Sequence, residues 1–149
     1  MATKEIPGVM VTMKANQTSL KYDSTEANGH ALADGNVALM ISANDEVAPT
    51  LDGSQVIGKL IQVSKDGYAS VMVSGANLGF VQGAASGCVI GNPIVGAVGD
   101  TRGGSAGGYV RTGTSADTST GREDQLRGRG VVTDVPATTK NTVIRVTLP

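Results

Sequence analysis

Val56-Ile57-Gly58-Lys59-Leu60-Ile61-Gln62-Val63-Ser64-Lys65-Asp66-Gly67-Tyr68-Ala69-Ser70-Val71-Met72-Val73-Ser74 is the stretch on which the reading of this chain turns. Two β-rich runs, 56–63 and 68–74, flank Ser64-Lys65-Asp66-Gly67. Asp-Gly between such runs is the strongest short-range hairpin signal, because Gly enters the φ > 0 region at little cost. The same grammar extends outward. In Val143-Ile144-Arg145-Val146-Thr147-Leu148, the residues Ile144, Val146 and Leu148 face one way while Arg145 and Thr147 face the other, the period of a half-buried strand. Further runs are Val37 to Ser42, Val89 to Val98, Tyr109 to Thr112 and Val131 to Val135, and Asn28-Gly29, Asp34-Gly35 and Asp52-Gly53 supply turns between the earlier ones. Asn92-Pro93 interrupts the run from Val89, and Pro93 makes it an edge strand or one broken at a bulge.

Seven or more short strands, on a chain with 3 Tyr, 1 Phe and no Trp, predict an all-β fold: a small barrel or sandwich filled mainly by Val, Ile, Leu, Met and Ala. Helical periodicity is weak throughout. Its least poor candidate, Thr120 to Leu126, is long enough for only a turn of helix. Two segments stand apart from the β pattern. Residues 1–28 are polar with scattered Ile6, Val9, Val11, Met13 and Leu20, and read as an N-terminal arm or a first strand preceding a β-domain at 29–149. Residues 100–130 form a long loop rich in Gly, Ser and Thr, with little besides Tyr109 and Val110 to bury.

Composition narrows the function. Gly supplies 21 of 149 residues, about twice its usual ~7% share, while 17% charged residues falls below the usual ~25%. A formal net charge of −1 gives no electrostatic reason to expect nucleic acid or an anionic membrane. The first residues lack the apolar block of a secretion signal, and no run approaches the ~20 apolar residues of a membrane span. The lone Cys88 cannot form an internal disulfide.

The residues that carry chemistry are scarce. Cys88 and His30 are the only candidates for nucleophile and base, and neither sits in a local signature. Cys88, between Gly87 and Val89, reads as a small buried hydrophobe. Asp23, Glu26 and Asp34 lie near His30 without the spacing of a zinc or calcium site. Gly103-Gly104 with Gly107-Gly108 lacks the Lys-Ser/Thr of a phosphate cradle, and Arg127-Gly128-Arg129-Gly130 is a single Arg-Gly copy beside Glu123 and Asp124 with no aromatic platform. The expectation is therefore a non-enzyme with no catalytic residues, metal or cofactor.

Arginine is distributed unevenly. Arg102, Arg111, Arg122, Arg127 and Arg129, five of the six in the chain, fall in 100–130, and none of the six Lys does. The planar guanidinium fork suits carboxylate or carbonyl partners at an interface, so this loop is expected to be a contact loop, with a solvated excursion as the bland alternative. By the same reasoning Ile6, Val9 and Val11 are contact candidates if residues 1–28 are an arm.

The order GNVALMIS (35–42), DGSQVIGKLIQVSKDGYASVMVSG (52–75), GNPIVGAVGD (91–100), GYVRTG (108–113) and GRGVVTDVPATTKNTVIRVTL (128–148) resembles the small β-rich capsid decoration, or cement, proteins of tailed bacteriophages. In those chains a Val-Ile-Gly run leads into a hairpin ending Val-x-Val-x-Gly, and a late Gly-x-(Ala/Val) run precedes a closing Val-x-Val-x-Leu strand. The resemblance covers Gly35 to Leu148. Two departures are the long stretch through Lys21 and the Ser/Thr-rich insertion Thr112 to Thr120.

The resemblance implies a non-enzymatic structural protein, made in the host cytoplasm and bound on the virion's capsid exterior as a homotrimer. It would touch the major capsid protein and brace the shell, with neither nucleic acid nor membrane as partner. Ile6, Val9, Val11, Arg102, Arg111, Arg122, Arg127 and Arg129 are then the expected capsid-binding residues, taken from the arm and arginine arguments. The competing classes are another β-rich binding module, such as a tail or fibre component, and a hydrolase using Cys88 or His30.

Overall fold

The computed structural model describes residues 4–83, 87–113, 123–124 and 126–149. The chain is all-β. Its described strands are β1 (Ile6–Pro7), β2 (Met10–Ala15), β3 (Ala38–Ala43), β4 (Glu46–Pro49), β5 (Gly58–Val63), β6 (Tyr68–Met72), β7 (Gly75–Val81), β8 (Ile94–Ala97), β9 (Tyr109–Thr112), β10 (Val131–Asp134) and β11 (Val143–Leu148), with a 3-10 turn at Ala31–Asp34. They form a closed barrel β2-β4-β3-β5-β6, a four-stranded sheet β1-β7-β11-β10 and the two-stranded sheet β8-β9.

The hairpin at the centre of the chain is β5–β6. Gly67 takes φ 84°, its N–H donates to Ser64 O at 3.0 Å, and Ser64 N–H donates to Tyr68 O at 2.7 Å, so the turn closes where the Asp-Gly pair places it. Leu60 then lies opposite Val71, and Leu39, Val47, Val63 and Ala69 join them inside the barrel. Leu20 and Leu32, both fully buried, complete that core from the segment between β2 and β3.

A second core lies between the barrel wall and the four-stranded sheet. Leu78, Phe80, Val132, Ile144, Val146 and Leu148 supply it from the sheet, while Ala38 and Met72 supply it from the outside of the barrel. Neighbouring residues on a strand point to opposite faces. Thus Leu39 and Val71 fill the barrel while Ala38 and Met72 fill the layer behind it. The start of β3 is buried on both faces, through Ala38 and Leu39, whereas Ile41, Ser42 and Ala43 at its far end are exposed.

The N-terminal residues enter this arrangement as strands. Ile6 pairs with Ala76 and Pro7 with Gly75, and the same register continues unbroken from Met10 opposite Met72 to Lys14 opposite Tyr68. Asn16 follows as a hydrogen-bonding corner: its Oδ1 accepts the N–H groups of Thr18 and Ser19 at 2.9 and 3.0 Å, and its Nδ2 donates to Glu46 at 2.8 Å. Among the described residues no helix is long and apolar enough to cross a membrane.

Ile144, Val146 and Leu148 are buried in the alternating pattern read from the sequence. Val146→Asp should place an unpaired carboxylate in the second core and cost several kcal/mol. The expected result is loss of a cooperative thermal transition, whereas Lys65→Asp in the exposed hairpin turn should leave the melting temperature within experimental scatter.

Candidate functional site

Of the arginines expected to form a contact surface, three are committed to the protein itself. Arg111, in β9, is only 4% exposed. Its Nη1 and Nη2 grip the buried Asp124 carboxylate at 2.7 and 3.2 Å, and its Nε donates to Asp52 at 2.9 Å. The Asp124 hydrogen bond, set against the cost of burial and reinforced by Asp52, holds the guanidinium above its usual range. Arg129 donates to the carbonyls of Ile57, Val73 and Pro149, which lie where β5 begins, β6 ends and β11 ends. Arg102 donates to Gly35 O and Gly108 O, and its guanidinium lies 4.3 Å from the centre of the Tyr109 ring.

At these three positions the guanidinium is engaged within the chain, with Arg111 buried and Arg102 and Arg129 half-buried. Chain ends and loops leave carbonyl oxygens without ladder partners, and a buried carbonyl needs a donor. The guanidinium fork offers five donors, so it collects several carbonyls at once. The property that suits arginine to an interface serves here between elements of one chain. Arg127 remains exposed, donating to Gly53 O at 3.3 Å with Glu123 at 3.9 Å. Arg122 lies outside the described residues.

The N-terminal candidates divide differently. Ile6 is 55% exposed in β1, and Val9, between β1 and β2, is 57% exposed. Val11 is corrected: on β2 it shares a face with Met13 and Ala15, and it packs against the barrel core. The outward face of that strand instead presents Met10, 48% exposed, with Thr12 and Lys14. Strict alternation of Met10-Thr12-Lys14 with Val11-Met13-Ala15 is the signal that could have exchanged Val11 for Met10. Ile6, Val9 and Met10 thus place three exposed apolar side chains within five residues of one ladder.

The two candidate nucleophile and base residues belong to different cores. Cys88 is a buried free thiol in the layer behind the barrel, its N–H donating to Gln82 Oε1 at 2.7 Å, and burial pushes its pKa up to about 11. A thiol so shifted is not a thiolate at neutral pH. His30 caps the 3-10 turn beside the barrel core, its Nδ1 accepting Leu32 N–H at 3.1 Å. Gly103 and Gly104, with φ of 53° and 80°, form a tight turn closed by reciprocal bonds between Arg102 and Ser105 at 2.8 and 2.9 Å. Two consecutive positive φ values explain that glycine pair as a turn. Among the described residues no group of three or more His, Cys, Asp or Glu is placed to hold a metal ion.

Comparison with known proteins gives no match to a family model, to a curated protein or to a solved structure.

Two predictions follow from these side chains. Arg111→Met removes the guanidinium from a buried carboxylate and should cost about 3–5 kcal/mol in urea denaturation, while Arg111→Met with Asp124→Leu should recover much of the loss. For His30, burial lowers the pKa below the usual 6.5, outweighing Asp23 and Glu26, which raise it. The folded state therefore resists protonation, so this contribution is complete above pH 6.5 and is lost as pH falls through the lower folded value. The melting temperature should drop between pH 7 and 5 more steeply in the wild type than in His30→Asn, whose side chain can still cap the turn.

Proposed function

We propose that this protein is a structural, shell-binding component of the bacteriophage capsid decoration class, bound as a homotrimer to the major capsid protein on the outside of the virion. The reading rests first on the order of β runs from Gly35 to Leu148, which resembles that class. The observation that carries it further is the exposure of three apolar side chains, Ile6, Val9 and Met10, along the N-terminal ladder. Side chains of this kind lose contact with water when a partner surface covers them, a gain of about 25 cal/mol per Å² of apolar area. Their position on a paired strand lowers the ordering cost that a free arm would incur on docking.

Such a role asks little of each contact. A trimer that touches several capsid subunits converts modest affinities into avidity. A ligand that binds only the assembled shell stabilises it by mass action, about 2.7 kcal/mol per site at a hundredfold excess over Kd.

The test is to add purified protein to expanded capsids that lack it and to measure stoichiometric binding by sedimentation and by added surface density in electron micrographs. Saturable binding is expected for the wild type. Ile6→Thr, Val9→Thr and Met10→Gln together should weaken it at least tenfold while leaving the melting temperature of the free protein within a few degrees. Absence of wild-type binding would refute the reading, and unaltered binding by the triple variant would move the contact surface elsewhere.

A further inference from the structure

Glu5 is held in a way that sets the N-terminal strand apart from the ladder it begins. Its Oε2 accepts from Lys59 Nζ of β5 at 2.7 Å and from the backbone N–H of Gly79 of β7 at 3.0 Å, and Arg145 Nη1 of β11 stands 3.7 Å away. Groups from three strands, β5, β7 and the distant β11, thus converge on one carboxylate oxygen. Lys59 is only 8% exposed, so Glu5 also supplies the counter-charge for a nearly buried ammonium.

Beyond this socket the hold on β1 is slight. β1 is two residues long, forms the outer edge of its sheet, and exposes both of its side chains. Pro7 has no N–H to give to a ladder. After Gly8, whose N–H donates to Ser74 O at 3.1 Å, the character of the contact changes. β2 pairs with β6 at five consecutive positions and sends Val11 and Met13 into the barrel core. The first part of the ladder is therefore fastened by charge and the second by apolar burial.

We propose that residues 4–8 are a latch, a segment that detaches from β7 as a unit while the barrel stays folded, with Glu5 as the group that fastens it. Detachment bares the edge of β7 from Gly75 to Asn77 and leaves Lys59 and Arg145 facing the vacated socket. Local opening of this kind occurs where few apolar contacts back the hydrogen bonds.

The pH sense follows from the same groups. Burial raises the Glu5 pKa, but the Lys59 hydrogen bond, the Gly79 N–H and the charges of Lys59 and Arg145 outweigh it and hold the carboxyl below its usual 4.5. The latch is fully fastened above that value and loosens as pH falls through the lower folded value.

Residue-resolved hydrogen exchange tests the proposal on the intact protein. At pH 7, the amides of Gly8 and Gly79 should exchange at least tenfold faster than those of Val11 and Val71, after correction for intrinsic rates. Glu5→Gln should accelerate Gly8 and Gly79 a further tenfold with Val11 and Val71 unchanged, and the wild type taken from pH 7 to pH 4 should show a smaller acceleration, at most about fourfold, confined to the same two amides. Equal protection of all four amides in the wild type overturns the latch. So does a Glu5→Gln protein in which Val11 and Val71 lose protection together with Gly8 and Gly79, because β1 then belongs to one cooperative unit with the barrel.

Discussion

One antiparallel ladder governs the assembly of this molecule. From Ile6 opposite Ala76 to Lys14 opposite Tyr68 the register never slips, yet the strands it joins belong first to the open sheet and then to the barrel. Because the ladder passes through both, the sheet and the barrel cannot choose their relative placement independently. A one-residue slip would turn Val11 and Met13 outward and Met10 and Thr12 inward, so the barrel core enforces the register of the edge strand beyond it. The second core follows from the same constraint, since Ala38 and Met72 on the barrel's outer wall are brought against Phe80, Ile144 and Val146.

Arginine closes the seam that this placement leaves. Where β5 starts and where β6 and β11 end, carbonyl groups point into a junction rather than into a ladder, and Arg129 bonds to all three sites. Arg102 bonds the carbonyls of Gly35 and Gly108, the second of which also accepts Ala38 N–H at 2.9 Å. Burial lowers the pKa of both side chains, yet a guanidinium starts so high that it stays charged. The ties to Ile57, Val73, Gly35 and Gly108 use neutral carbonyls, so protonating carboxylates does not loosen them, unlike the grip of Arg111 on Asp124.

The strands whose side chains alternate or whose turns carry Asp-Gly were legible in the sequence: β5, β6 and β11 lie where the period and turn chemistry place them, and β9 spans the four residues read as a run. β7 was missed because Gly75, Asn77 and Gly79 dilute its β character. The cause is physical, since Asn77 takes φ 55° and Gly79 lies under Asn36 and Arg145, where a Cβ would meet their side-chain atoms at 2.9 and 3.0 Å. β4 was missed because Glu46-Val47-Ala48-Pro49 offers neither alternation nor a glycine turn; its entry is made by Asp45 at φ 55°. Arginine enrichment in 100–130 was visible, but the sequence does not say whether a guanidinium finds its carbonyls on a partner or within its own chain. That distinction depends on long-range geometry, such as the 72 residues separating Arg129 from Ile57.

The strand order of the four-stranded sheet has a consequence for synthesis. β11 lies between β7 and β10, so those two strands meet only through the latest of the four to be made. Residues 10–72 contain every strand of the barrel, which can close as soon as β6 has left the ribosome. The layer behind it must wait, with Phe80 and Leu78 lacking their cover until residues 143–148 emerge. Pairings so distant along the chain carry the loop-closure cost that slows folding. The nascent protein therefore spends the interval as a closed barrel with an open apolar flank, the stage at which it is most exposed to aggregation.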